Sequence, residues 1–178
     1  MNQKIRMNTN EINIASKEFM IFMTDFFENH IEDILINDLD STEMHINYSK
    51  GIFNIGNGLI VILSNTKAYR FDHGYNNNKY AIRLSKEEKN LKLNYKSIKT
   101  IPNYKLLEKI IGLKIKTIKP ETQLAFRDPP QLRSIKFYSN GFSFAIIGED
   151  NFKTSDSEDS YVVDGCWIVV DEKIAQFI

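Results

Sequence analysis

The stretch NGLIVILSNTKAYRF, Asn57 to Phe71, decides the fold. Asn-Gly is the strongest short signal for a two-residue β-turn, because both residues tolerate the positive φ that such a turn demands. It leads into Leu59–Leu63, an unbroken apolar run rich in β-branched side chains, which suits a strand buried on both faces. Asn65-Thr66 is a further turn signal, and Ala68–Phe71 resumes an alternation of apolar and polar residues. Strands joined by so few residues must pair antiparallel, because a parallel pair needs a long crossover.

The same texture extends in both directions. Upstream, Met44, Ile46 and Tyr48 alternate with polar neighbours, Lys50-Gly51 makes a turn, and Phe53 and Ile55 alternate again. Downstream, Asp72–Asn78 reads as a loop with His73 at its tip, and Tyr80–Leu84 as the next strand. Residues 43–84 are thus expected to form a β-meander. From 85 to 119 the pattern is a basic strand-helix-strand unit. Ser85-Lys-Glu-Glu88 fits a capping box, Leu91, Leu93 and Tyr95 alternate with Lys92, Asn94 and Lys96, and Tyr104–Ile111 reads as a short helix closed by Gly112. Leu113 and Ile115 then alternate with Lys114 and Lys116 until Pro120 ends the pattern.

Thr122–Gln131, with Arg127-Asp-Pro-Pro130, is expected to be an extended linker or surface loop. Over 132–178, Arg133–Ser139 and Phe142–Ile147 form a hairpin through Asn140-Gly141, Gly148–Ser160 is an acidic loop, and Tyr161–Val170 is a last buried strand. At the N-terminus, Ile12, Ala15, Phe19, Met23, Phe26 and His30 recur at steps of three or four, one stripe of an amphipathic helix over about 11–34. Lys17, Glu18, Asp25, Glu28 and Glu32 are assigned to its polar side. The expected fold is α+β: one domain over 1–178, an N-terminal amphipathic helix on a mostly antiparallel sheet, and a short helix inserted near the middle.

With 178 residues and 42% hydrophobic content, the chain can bury a core without staples. Its single cysteine, Cys166, sits beside Trp167 in an apolar run and reads as an inert buried side chain in a reducing compartment. No apolar run approaches a bilayer span, and Asn8-Thr-Asn-Glu11 interrupts any leader-like segment, so a cytoplasmic protein without a membrane partner is expected. His30, His45 and His73 lack zinc-ligand spacing, and Gly56-Asn-Gly58 leads into a strand where a phosphate-binding loop would lead into a helix. No metal, cofactor or catalytic residue is assigned.

Charge is the informative feature. Residues 1–49 carry three basic residues against nine carboxylates, 50–119 carry fifteen Lys or Arg against four carboxylates, and 120–178 carry five against ten. Two surfaces follow. An acidic one contains Glu149, Asp150, Asp156, Glu158 and Asp159 with Phe152 among them, the combination of aromatic anchor and charge that marks protein interfaces. A basic one contains Lys92, Lys96, Lys114 and Lys116, with Tyr95 and Tyr104 interleaved, and could track a phosphate backbone and stack bases. Lysine outnumbers arginine eighteen to five, which disfavours bidentate phosphate recognition.

In size, single-domain build and lack of catalytic motifs the chain resembles the small immunity proteins that protect bacteria from toxins. No motif carries that resemblance, so no residue roles transfer with it. It implies tight binding to a cognate toxin domain, for which the acidic 149–159 segment is the first candidate surface. The expected function is a non-catalytic protein-interaction protein. The alternatives are nucleic-acid binding through the lysines of 86–119, or an enzyme whose active site has no local signature.

Overall fold

A computed structural model describes residues 11–37, 51–56, 58–76, 79–87, 95–101, 105–123, 131–148, 152–153, 160–161, 165–170 and 176–177. Among these residues the body is one large antiparallel sheet with a single α-helix against it, the mostly antiparallel α+β architecture expected.

Helix α1 spans Lys17–Glu28. Ser16 caps its start, its hydroxyl accepting from the Phe19 amide at 3.2 Å. Asn29 closes it, donating from backbone and side chain to the Asp25 carbonyl. The helix is therefore shorter than the expected 11–34. Residues after Asn29 are extended, and Ile31 and Ile34 belong to strand β1 (Ile31–Asn37), where a register irregularity between Ile31 and Asp33 lets Ile31, Ile34 and Ile36 all be buried. Ahead of the helix, Glu11 bridges to Ser85 of the sheet.

The remaining strands are β2 (Ile52–Asn54), β3 (Gly58–Leu63), β4 (Ala68–Asn76), β5 (Lys79–Glu87), β6 (Tyr95–Ser97), β7 (Thr117–Gln123), β8 (Gln131–Ser139), β9 (Phe142–Ile147), β10 (Phe152–Lys153), β11 (Ser160–Tyr161), β12 (Trp167–Val170) and β13 (Gln176–Phe177). The large sheet runs β2-β12-β9-β8-β5-β4-β3-β1-β6, with β7 added on β8, and β11-β10-β13 form a small second sheet. Strands β3, β4 and β5 are the meander read from Asn57–Phe71, and the Asn65-Thr66 turn is real, with Thr66 at φ 67°.

Several expectations need correction. Strands β2 and β3 do not form a hairpin: β2 pairs β12 from the far end of the chain, and β3 pairs β1 and β4. His73 is not at a loop tip, because β4 continues to Asn76 and its hairpin partner β5 starts at Lys79. Ser85–Glu87 extend β5 rather than opening a helical turn. The expected mid-chain helix is instead a pair of 3-10 turns, Ile98–Thr100 and Leu107–Ile110, which bury Ile98, Leu107 and Ile110. Pro120 sits inside β7, paired on β8 alone, where a missing N–H is tolerated. The segment expected as a linker is strand at both ends, through Gln123 and from Gln131. The strands expected at 44–48 and 91–94 lie outside the described residues.

The sheet curls around α1. Phe22 stacks edge-on to Tyr69 and Phe71 of β4, and Phe26 lies 5.2 Å from Phe137 of β8, which stacks at 4.7 Å on Phe144 of β9. All of these rings are buried, and burying each contributes roughly 1.5–3 kcal/mol. The curl is fastened by 112–116. Gly112 donates to the Ile31 carbonyl, Ile31 donates to the Leu113 carbonyl, and Lys116 donates to the Tyr138 carbonyl, so one short segment ties β1 to the end of β8.

Candidate functional site

Lysine placement follows from this topology. Strand β6 and the segment around Lys114 lie along the same edge of β1: Lys96 opposes Ile36, and Lys114 bridges His30. Between them the Lys99 ammonium donates to the Glu32 carbonyl at 2.9 Å. Ile36 lies six steps along the chain from His30, so Lys96 and Lys114 stand about 20 Å apart along that edge. Beyond Lys114 the chain runs through buried Ile115 and exposed Lys116 into β7, where buried Ile118 is followed by exposed Lys119. With exposed Lys105 and Lys109 of the 3-10 region, the lysines form a belt from β6 to β7.

Two of the sequence candidates, Lys114 and Lys116, therefore fall side by side on this belt, and Lys96 stands at its far end. Lys92 lies outside the described residues. Lys105, Lys109, Lys114 and Lys116 form no ion pair among the described residues. Lys136 beside them is neutralised by Glu121 at 3.2 Å, and the Lys119 ammonium sits 5.2 Å over the Tyr138 ring.

Tyr95, expected as a base-stacking platform, is already engaged. Its hydroxyl accepts from the Arg70 guanidinium at 2.8 Å, and the same guanidinium lies 5.3 Å over its ring. Arg70 also approaches Asp72 and Glu87, each at 3.5 Å. Because Tyr69 and Phe71 point at α1, Arg70 and Asp72 must face away from it, and the β4–β5 register sets Arg83 directly opposite Asp72. Burial holds the Asp72 carboxyl above its usual range, opposed by the two arginines and reinforced by Glu87. Cys166 is fully buried, and burial with the nearby Asp72 charge pushes its thiol far up, which keeps it an unreactive core group as expected.

This cluster was not assigned from the sequence, although a signal existed. The pairing of Asn76 with Lys79 makes residues 72 and 83, and 70 and 85, cross-strand partners, and that register, had it been read, would have exposed the cluster.

Asp25 was also misplaced on the polar side of the helix. It is 4% exposed, its two oxygens accepting from Lys67 Nζ and the Tyr69 hydroxyl, both at 2.5 Å. It anchors α1 to the β3–β4 hairpin. His30, placed on the apolar stripe of the expected helix, lies just past the helix end and is exposed, 3.4 Å from Glu32.

The acidic candidates Glu149, Asp150, Asp156, Glu158 and Asp159 lie outside the described residues. Phe152 does not sit in a loop: it opens β10 and pairs in register with Tyr161 and Phe177. Among the described residues no group of three or more His, Cys, Asp or Glu is disposed to hold a metal, and no helix is long and apolar enough to cross a membrane. Compared with family models, with curated proteins and with solved structures, the chain matches none.

Proposed function

We propose that the chain is a non-catalytic interaction protein that holds an acidic surface of another protein against its lysine belt, as an immunity protein would hold a cognate toxin domain. The observation that supports this reading is the set of four exposed lysines, Lys105, Lys109, Lys114 and Lys116, with no carboxylate paired to them among the described residues. Glu108 is exposed between Lys105 and Lys109, so the belt is predominantly basic, and a predominantly basic belt steers an oppositely charged partner.

The partner class follows from the aromatics. Sequence-tolerant nucleic-acid binding needs rings free to stack on bases. Tyr95 is covered by Arg70 and Tyr138 by Lys119, so among the described residues the belt presents point charges in place of stacking platforms, and Tyr104 lies outside them. Lysine ammoniums, compact point charges on flexible stems, suit scattered carboxylates.

The test uses two charge variants as baits in the native host. Lys114→Gln with Lys116→Gln and Lys119→Gln should lose a protein that the native chain retains after nuclease treatment. Reversal of Asp156, Glu158 and Asp159 tests the acidic segment as the contact face and should leave that capture intact. A captured species that nuclease removes would establish the nucleic-acid alternative instead.

A further inference from the structure

The outer side of α1 is apolar where a solvent-facing side should be polar. Met20 is 60% exposed, Ile21 45% and Phe27 37%, the large hydrophobic side chains most open to solvent among the described residues. Met20, Thr24 and Phe27 follow the i, i+4, i+7 spacing of one stripe. The polar group within the stripe is already satisfied, since the Thr24 hydroxyl donates to the Met20 carbonyl at 2.9 Å.

The ends of this face carry opposite charges: exposed Lys17 in the first turn and exposed Glu28 in the last. Both stand the wrong way round for their own helix, whose N-terminus favours an anion and whose C-terminus favours a cation.

We propose that this stripe is the contact surface for a second copy of the chain, paired through antiparallel α1 helices about a twofold axis. In such a contact residue i meets residue j and j meets i. With Ile21 opposite Thr24 of the other copy, Lys17 of each copy falls beside Glu28 of the other. Both ends then close on opposite charges, and each misplaced charge meets the opposite dipole end of its neighbour. A parallel pairing would set lysine on lysine and glutamate on glutamate. The charge pattern of the face thus fits an inverted copy of itself, with Met20 and Ile21 nearest the dry centre and Phe27 toward each end, level with residue 18 of the other copy.

A helix of this length is about 18 Å long, and such a contact lies at the small end of specific interfaces, so the dimer dissociates on dilution. Sedimentation velocity on the full chain across a broad concentration series tests this. The mass should rise from the monomer's 20.7 kDa toward twice that value.

Met20→Lys should hold the chain monomeric with an unchanged circular dichroism spectrum, because this side chain is outside the core. Lys17→Glu alone and Glu28→Lys alone should each weaken association about tenfold, since each turns two attractive pairs per dimer into repulsive ones. The combined Lys17→Glu/Glu28→Lys swap should restore it. A monomer at every concentration, association indifferent to Met20→Lys, or a swap that fails to recover association would each overturn the proposal.

Discussion

Asp25 shows how one buried carboxylate can fix the seat of a helix. Its two oxygens are each used, one by the fully buried Tyr69 hydroxyl and one by Lys67, whose side chain is 40% exposed. The two donors should therefore differ in weight. Tyr69→Phe leaves a buried charge short of a partner and should cost about 1–3 kcal/mol, whereas Lys67→Met removes a solvent-screened pair and should cost at most about 1 kcal/mol. Urea midpoints for the two variants decide the order. The sequence could not reveal this site, because a periodicity plot puts Asp25 at the margin of the apolar stripe and cannot see a hydroxyl arriving from residue 69. A second prediction concerns Asp72. Its carboxyl binds a proton more readily in the folded chain than in the unfolded one, so its contribution to stability is present in acid and lost as pH rises through the folded pKa. Asp72→Asn removes that dependence. The variant's stability relative to the native chain should be lowest in mild acid and should rise toward neutral pH, as followed by unfolding titrations.

At the level of elements, local signals were read well where two neighbouring strands meet through a short turn. The β3–β4 and β8–β9 hairpins stand where Asn65-Thr66 and Asn140-Gly141 announced them. The readings failed where a local cue competed with a distant partner. Gly58 illustrates this: Asn57-Gly58 resembles a hairpin turn, but the glycine is needed because φ there is +153° and a Cβ would stand 2.4 Å from the Phe71 carbonyl oxygen. Gly58→Ala should accordingly destabilise by about 2 kcal/mol or more. Gly141→Asn should be nearly neutral in the same melting experiment, because nothing lies within 4 Å of a Cβ at Gly141 and asparagine accepts a φ of 66°. The end of α1 was missed for a related reason: Ile31 and Ile34 continue the apolar spacing of the helix while belonging to a strand, and only the Asn29 cap separates the two periods.

At the level of the whole molecule, antiparallel α+β architecture was legible from turn spacing and apolar runs, but strand order was not. Strand β12 joins β2 across more than a hundred residues, and no composition signal encodes which distant strand will supply the next ladder. The belt was legible in part. Lysine abundance marked 86–119, whereas its alignment along the edge of β1 and onto β7 arises from the fold. The lysines also guard the exposed edge of β7 against unwanted pairing, and a binding role adds to that duty without replacing it. The most direct test of the belt as a docking surface is nuclease-treated capture from the native host with the native chain and with Lys114→Gln/Lys116→Gln/Lys119→Gln. A protein held by the native chain and lost by the triple variant is the predicted result; the same protein on both baits, or a species removed by nuclease, would contradict it.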